Sequence, residues 1–235
     1  MDPGSEATRE PQYQELLRRR DEKGLARLGL MSSQVYFDDP KRLTFLLSRY
    51  KFVSRILEGR SHVLEIGCAD GFATPIVAKV VQRVTAVDFD PLFIADAKER
   101  TDPSLDIDFR VHDLLSGPVP PGEFAAAYAC DVLEHIPPED EDRFVGNAAG
   151  SLVPDGVAIV GMPSLESQTY ASKQSKEGHV NCKSGPALRE LLGRHFTNVF
   201  IFSMNDEVVH TGFTPMAHYL FGLCCGVRAK LKAPR

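Results

Sequence analysis

The chain has 235 residues, of which 43% are hydrophobic and 25% charged, with 27 Lys and Arg set against 32 Asp and Glu. That composition excludes collagen-like, low-complexity and wholly disordered chains and leaves one globular body of enzyme size. A net charge of -5 provides no general positive field for a polyanion, so nucleic acid is not the expected partner.

Residues 1–12 are polar and rich in Pro, Gly and Glu, and read as a disordered leader without an apolar targeting core. Apolar residues recur at helical spacing over 13–35 and again over 40–59, where Leu43, Leu46, Tyr50, Val53 and Ile56 follow steps of three or four. These two helices make up an N-terminal unit over 13–60. From residue 61 onward the pattern changes to short apolar runs alternating with helical segments, the signature of a parallel sheet with crossover connections. Strands are predicted at 62–66, 83–87, 107–111, 124–129, 157–160 and 199–203, and helices at 72–81, 91–100, 138–152 and 186–196. Val153-Pro154-Asp155-Gly156 reads as a turn. The apolar stretch 216–227 is too short to span a bilayer and reads as a last strand, with 205–214 as a connecting loop. Cys68, Cys130, Cys182, Cys224 and Cys225 are odd in number and show no CxxC spacing. They favour a reducing, cytoplasmic setting over disulfides or structural zinc.

The chemistry gathers at strand ends. Glu65-Ile66-Gly67-Cys68-Ala69-Asp70-Gly71 closes the first strand in a glycine-containing turn leading into a helix, a platform where a ligand approaches the backbone. Asp88 ends the second strand about twenty residues later, where a carboxylate accepts hydrogen bonds from ribose hydroxyls. Asp113 ends the third strand and suits an exocyclic amine, while Asp131-Val132-Leu133-Glu134-His135 follows the fourth. The competing reading makes these acids helix caps, a role Asp fills well one residue at a time. Gly67 to Gly71 does not supply GxGxxG, which weighs against a pyrophosphate and a nicotinamide-dependent oxidoreductase.

With these residues in hand, the stretch from about Val63 to Phe202 resembles the class I S-adenosylmethionine-dependent methyltransferase family. Glu65 to Gly71 is similar to that family's first motif, with Ala69 where a glycine is commonest and Asp70 where a small residue is frequent. Asp88 is similar to the ribose acid, Asp113 to the adenine-side acid, and Asp131 to Ile136 to the motif after the fourth strand. The resemblance implies a Rossmann-like α/β fold: a doubly wound, seven-stranded sheet, mostly parallel with an antiparallel last strand, and helices before the first strand acting as a lid. It also implies S-adenosyl-L-methionine as cofactor, held by Glu65, Gly67, Ala69, Gly71, Asp88, Phe89, Asp113, Leu114 and Asp131.

If the acceptor is an aliphatic hydroxyl, a base must take its proton, and histidine is suited to that work near neutral pH. His62, His112 and His195 read as structural, and His218 as packed among Tyr219, Leu220 and Phe221. His135 shares the rim with Glu134, and His179 lies in the long polar segment 163–184, a natural substrate loop. His179 is the expected base and His135 the second catalytic candidate, with Glu134, His210 and Tyr36 as substrate contacts. A metal on Asp131, Glu134 and His135 is conceivable, but without a second acid pair none is expected. The expected activity is methylation of a small molecule, most simply on oxygen of a sugar or other polyhydroxylated metabolite. N-methylation and a catalytically silent adenosine binder are the alternatives. The expected partners are that acceptor and, as an open alternative to the monomer, a second copy of the chain; neither nucleic acid nor membrane is expected.

Overall fold

The computed structural model of the chain describes residues 7–228. The leader therefore falls partly outside it; of its described part, Pro11 and Gln12 enter a 3-10 turn over Pro11–Tyr13.

The predicted first helix is two helices. α1 (Gln14–Lys23) ends where Gly24 takes φ +74° with extended ψ, a conformation open to glycine, and α2 (Leu30–Asp38) starts afresh after residues 25–29. α3 (Lys41–Leu57) follows and buries Tyr50, Val53 and Leu57. The sheet is built from β1 (His62–Ile66), β2 (Arg83–Asp88), β3 (Ile107–Val111), β4 (Phe124–Cys130), β5 (Leu152–Pro163), β6 (Phe196–Asn205), β7 (Val208–His210) and β8 (Tyr219–Val227). Its order is β3-β2-β1-β4-β5-β8-β6-β7, parallel except for β8 and β7.

Eight strands thus replace the expected seven. The extra one is β7, which turns the predicted 205–214 loop into a hairpin on β6 through Asp206 at φ +49°. The predicted turn at 153–156 lies inside β5, where the pairing with β4 jumps from Phe124↔Leu152 to Ala126↔Val157; the extra residues bulge outward and expose Pro154 and Asp155. α4 (Thr74–Ala78) is much shorter than the expected 72–81, because it starts around Pro75 and stops at Lys79, so the glycine turn does not open directly into it. α5 (Pro91–Arg100) matches its prediction, while α6 (Glu141–Gly150) and α8 (Gly185–Gly193) are shorter than theirs. Among the described residues no helix is long and apolar enough to cross a membrane.

Strands buried on both faces explain the near-continuous apolar runs. Leu64, Ile66, Ala127, Ala129, Ala158 and Val160 face a layer holding α6 and α8. Val63, Ala126, Tyr128 and Ile159 face α3 and α4, and α5 packs Ile94 and Ala97 on Val84, Ala86 and Phe109. The chain reverses direction across the sheet between β1 and β4, and open α/β sheets bind ligands at the carboxyl ends flanking such a point.

Lid and sheet are tied beneath that point: the Tyr50 hydroxyl of α3 donates to Glu65 Oε1 of β1 at 2.7 Å, with Glu65 1% exposed. Burial holds the Glu65 carboxyl above its ordinary value. The native state therefore keeps this proton to higher pH than the unfolded chain does, and the group's contribution to stability falls as pH rises through that window. Tyr50→Phe is expected to cost about 1–3 kcal/mol in urea unfolding at pH 8, since it strips a buried carboxyl of its donor. The deficit narrows as acid protonates Glu65.

Candidate functional site

The turn after β1 is shaped by three residues in the left-handed region, Gly67 (φ +73°), Ala69 (φ +45°) and Gly71 (φ +65°). Gly67 and Cys68 donate their amides to the carbonyl of Val87, which binds the turn to the end of β2. A Cβ at Gly71 would stand 2.7 Å from Phe109, and one at Gly67 would collide with Val132 in the segment after β4. Ala69 bears the conformation a glycine would adopt freely, at a cost on the order of 1 kcal/mol. Asp131, which opens the segment after β4, is also left-handed at φ +60°.

Asp88 does not cap α5; Asp90 does, accepting from Leu92 N at 2.8 Å. Instead the Asp88 carboxylate accepts from Ala69 N and Asp90 N, both at 2.9 Å, and so sets the turn against the end of β2. Two amides fill only part of a carboxylate's acceptor capacity, so it can still receive ribose hydroxyls. Phe89 beside it is 74% exposed, a free face for stacking. Asp113 does cap, its Oδ1 accepting from Leu115 N at 2.9 Å at the head of a 3-10 turn. Leu114 is buried in the core behind that turn, so its side chain presents no free surface to a ligand. Glu65 likewise lies beneath the turn and acts on the lid helix through Tyr50.

Arg49, on the lid helix α3, contributes directly to the rim. Its guanidinium Nη1 donates to both oxygens of Asp131, at 2.8 and 2.7 Å, and its Cζ lies 4.0 Å above the ring of Tyr219. Asp70 fixes the second lid contact, its carboxylate accepting from Ser32 N at 2.7 Å and Ser32 Oγ at 2.8 Å. The missed signal was pairing over distance: an isolated Arg or Ser on a helix does not announce its partner.

The histidines separate cleanly. His135 and His179 come together with ring centroids 5.2 Å apart, and with Glu134 they place one ligand-type atom each within 4.8 Å of the others. This contact crosses segments: Glu134 and His135 belong to the 3-10 turn after β4, and His179 closes α7 (Lys173–Gly178). Val180 N and Asn181 N donate to the Glu134 carbonyl at 2.8 and 3.0 Å and hold the two segments in register. Burial, then the neighbouring His135, hold His179 below the ordinary histidine value, so its ring is neutral at pH 7. Burial, then Asp131, push the Glu134 carboxyl up.

His210 is not part of this group. It sits on edge strand β7, its Nε2 paired with Asn205 Oδ1 and its Nδ1 accepting from Gly212 N, both at 2.9 Å, with β6, β8 and β5 between it and β4. Tyr36 is 49% exposed on α2 with Phe37 as its ring neighbour. His218 is exposed rather than packed, because Tyr219 and Phe221 alternate inward from it. His62, His112 and His195 are each bonded locally, to Thr85, Gly117 and Asp142.

Arg49 Nε and both oxygens of Glu134, all at the end of β4, are buried without a hydrogen-bond partner. Folded proteins satisfy such groups nearly everywhere, so the Glu134 carboxyl calls for a partner. Gly67→Ala should lower the melting temperature by several degrees through its clash with Val132, and Val132→Ala in that background should recover part of the loss in a thermal scan.

Residues 63–156 match the family described as a methyltransferase domain. A probable S-adenosylmethionine-dependent methyltransferase of Mycolicibacterium smegmatis is 31% identical over 115 residues, 49% of this chain and 42% of that protein. A ubiquinone biosynthesis O-methyltransferase of Xanthomonas campestris is 29% identical over 124 residues, 52% of this chain and 48% of that protein. The matches thus span less than half the length of these relatives. In fold, the N-methyltransferase NodS of Bradyrhizobium japonicum, solved with S-adenosyl-L-homocysteine, superposes with a TM-score of 0.60 at 21% identity over 92% of this chain and 99% of its own. Motif, sheet order and the family match over residues 63–156 agree, and in these respects the chain is similar to class I S-adenosylmethionine-dependent methyltransferases.

Proposed function

We propose that the protein is a cytoplasmic small-molecule methyltransferase that uses S-adenosylmethionine to methylate a hydroxyl oxygen, with a sugar or other polyhydroxylated metabolite as acceptor. The observation that carries this reading is the group at the end of β4, where two imidazoles and a buried carboxyl meet beside the glycine turn.

The cofactor suits the residues present. The left-handed turn brings backbone rather than side chains to the cleft, Asp88 retains acceptor capacity, and the acids at the rim suit a cation better than a pyrophosphate. When bound, S-adenosylmethionine supplies an electrophilic methyl group on a cationic sulfur. Asp88 holds the ribose, Phe89 offers its exposed face to the base, and the turn over 67–71 fixes the position along the rim. Arg49, held on Asp131 and over Tyr219, narrows the lid side of the cleft. His179, neutral and oriented by the bond from its Nδ1 to Gln168 Oε1 at 2.9 Å, presents Nε2 as the acceptor for the substrate's hydroxyl proton. An amine acceptor loses its proton to water more readily and needs less of this group, which favours oxygen over nitrogen. Five free cysteines support a reducing compartment.

Calorimetry should show micromolar heat with S-adenosylhomocysteine and none with NAD; the reverse result rejects the reading. Asp88→Ala is expected to weaken that binding by about 1–3 kcal/mol, since it removes a charge-assisted acceptor and loosens the turn together. On a panel of hydroxylated metabolites and amines, the best acceptor should be a hydroxyl. His179→Ala should then lower kcat about a hundredfold or more with cofactor affinity nearly unchanged. The wild-type rate should fall with acid below the usual histidine value, following the depressed His179, and this acid limb should vanish in the variant.

A further inference from the structure

The group at the end of β4 has features that base catalysis by one histidine does not use. The Glu134 side chain is fully buried, and neither of its oxygens has a partner. The cationic side chains around it are committed elsewhere: Arg49 to Asp131, and Lys183 to Glu141 at 2.6 Å. Both imidazoles are oriented alike. His135 Nδ1 donates to the Gly178 carbonyl at 2.8 Å and His179 Nδ1 to the Gln168 amide oxygen at 2.9 Å. Because both acceptors are carbonyl-type oxygens, the proton resides on Nδ1 and the lone pair on Nε2 in each neutral ring. An oxygen acceptor behind one ring nitrogen, with the other left free, is the orientation that metal-ligating histidines share.

We propose that Glu134, His135 and His179 form a binding site for one divalent transition-metal cation. One carboxylate and two imidazoles match the borderline Mn2+, Fe2+ and Zn2+ class better than Mg2+ or Ca2+, which prefer all-oxygen sets. One ligand-type atom from each of the three residues already lies within 4.8 Å of the others, and the bonds from Val180 N and Asn181 N to the Glu134 carbonyl hold the two segments in register without an ion. A cation here would satisfy the orphaned oxygens of Glu134 and, with three protein ligands, would have room for a further oxygen ligand. Asp131 stands outside this group of three donors and is ion-paired with Arg49. The inference rests on the proposed hydroxyl methylation and, wherever the cation is bound, replaces the His179 base step described above. An acceptor hydroxyl bound to the cation becomes a stronger acid and loses its proton to water, so that His179 serves as a ligand and not as the base.

The test uses the full chain, treated with chelator, dialysed and titrated with cobalt(II) under visible absorption and with manganese(II) in a calorimeter. We expect one cation per chain, cobalt bands of an imidazole-bound ion, and affinity at least tenfold weaker in Glu134→Gln and His179→Gln. Gln168→Ala, a positioning change, should weaken it by a smaller factor, and His218→Ala, at an exposed histidine outside the group, should leave it unaltered. Each variant is checked for S-adenosylhomocysteine binding, which depends on the glycine turn. Absence of saturable cobalt binding, or binding that Glu134→Gln and His179→Gln retain in full, overturns the site. S-adenosylhomocysteine binding without cobalt binding rejects the metal alone, whereas loss of S-adenosylhomocysteine binding in wild-type protein rejects the functional reading beneath it. Full turnover by metal-free protein also overturns the proposal and returns His179 to the role of base.

Discussion

The contact between the turn after β1 and the segment after β4 is the constraint on which the rest of the site depends. Gly67 lies against Val132 so closely that no side chain fits between them, and the backbone is left-handed on both sides, at Gly67 and at Asp131. That approach occurs where the chain reverses its direction across the sheet, the place in an open α/β fold where two strand ends separate and leave a crevice. From it follow the position of Asp88 on one side, through its bond to Ala69 N, and of Glu134 and His135 on the other.

The second organising feature is buried charge. Glu65 and Glu134 are both removed from water, at the ends of β1 and β4, on opposite sides of the crevice. Glu65 has a donor in Tyr50 and ties the lid helix to the sheet, whereas Glu134 has none. A carboxyl buried without a partner is a cost that stability alone does not select, and sites that bind or react are where such costs persist. The lid is held by charge as well: Arg49 on Asp131 and Ser32 on Asp70 attach two N-terminal helices to the two turns that form the crevice. Lid and crevice therefore share residues, and a change in one is felt in the other.

Fold class, most strands and the glycine turn after β1 were legible in the chain because each rests on local information. Apolar runs of strand length, glycine at a strand end, and an acid two elements later are properties of contiguous segments, and the sheet brings them to one edge whatever the details. The misses have equally local causes. Gly24 ended a helix that periodicity alone continued, a bulge absorbed Pro154 and Gly156 within β5, and Asp206 turned a loop into the β6 to β7 hairpin.

What the sequence by itself determined is the alternating sheet and the glycine turn with Asp88, since backbone conformation and hydrophobic period are written residue by residue. Only the tertiary structure decided which distant side chains meet: His179 with His135 and Glu134, Arg49 with Asp131, and His210 with none of them. Those encounters depend on where a loop folds back across the end of a strand, as the bonds from Val180 and Asn181 to the Glu134 carbonyl do here. Such a return is set by packing and pairing across the whole fold, and no spacing along the chain encodes it.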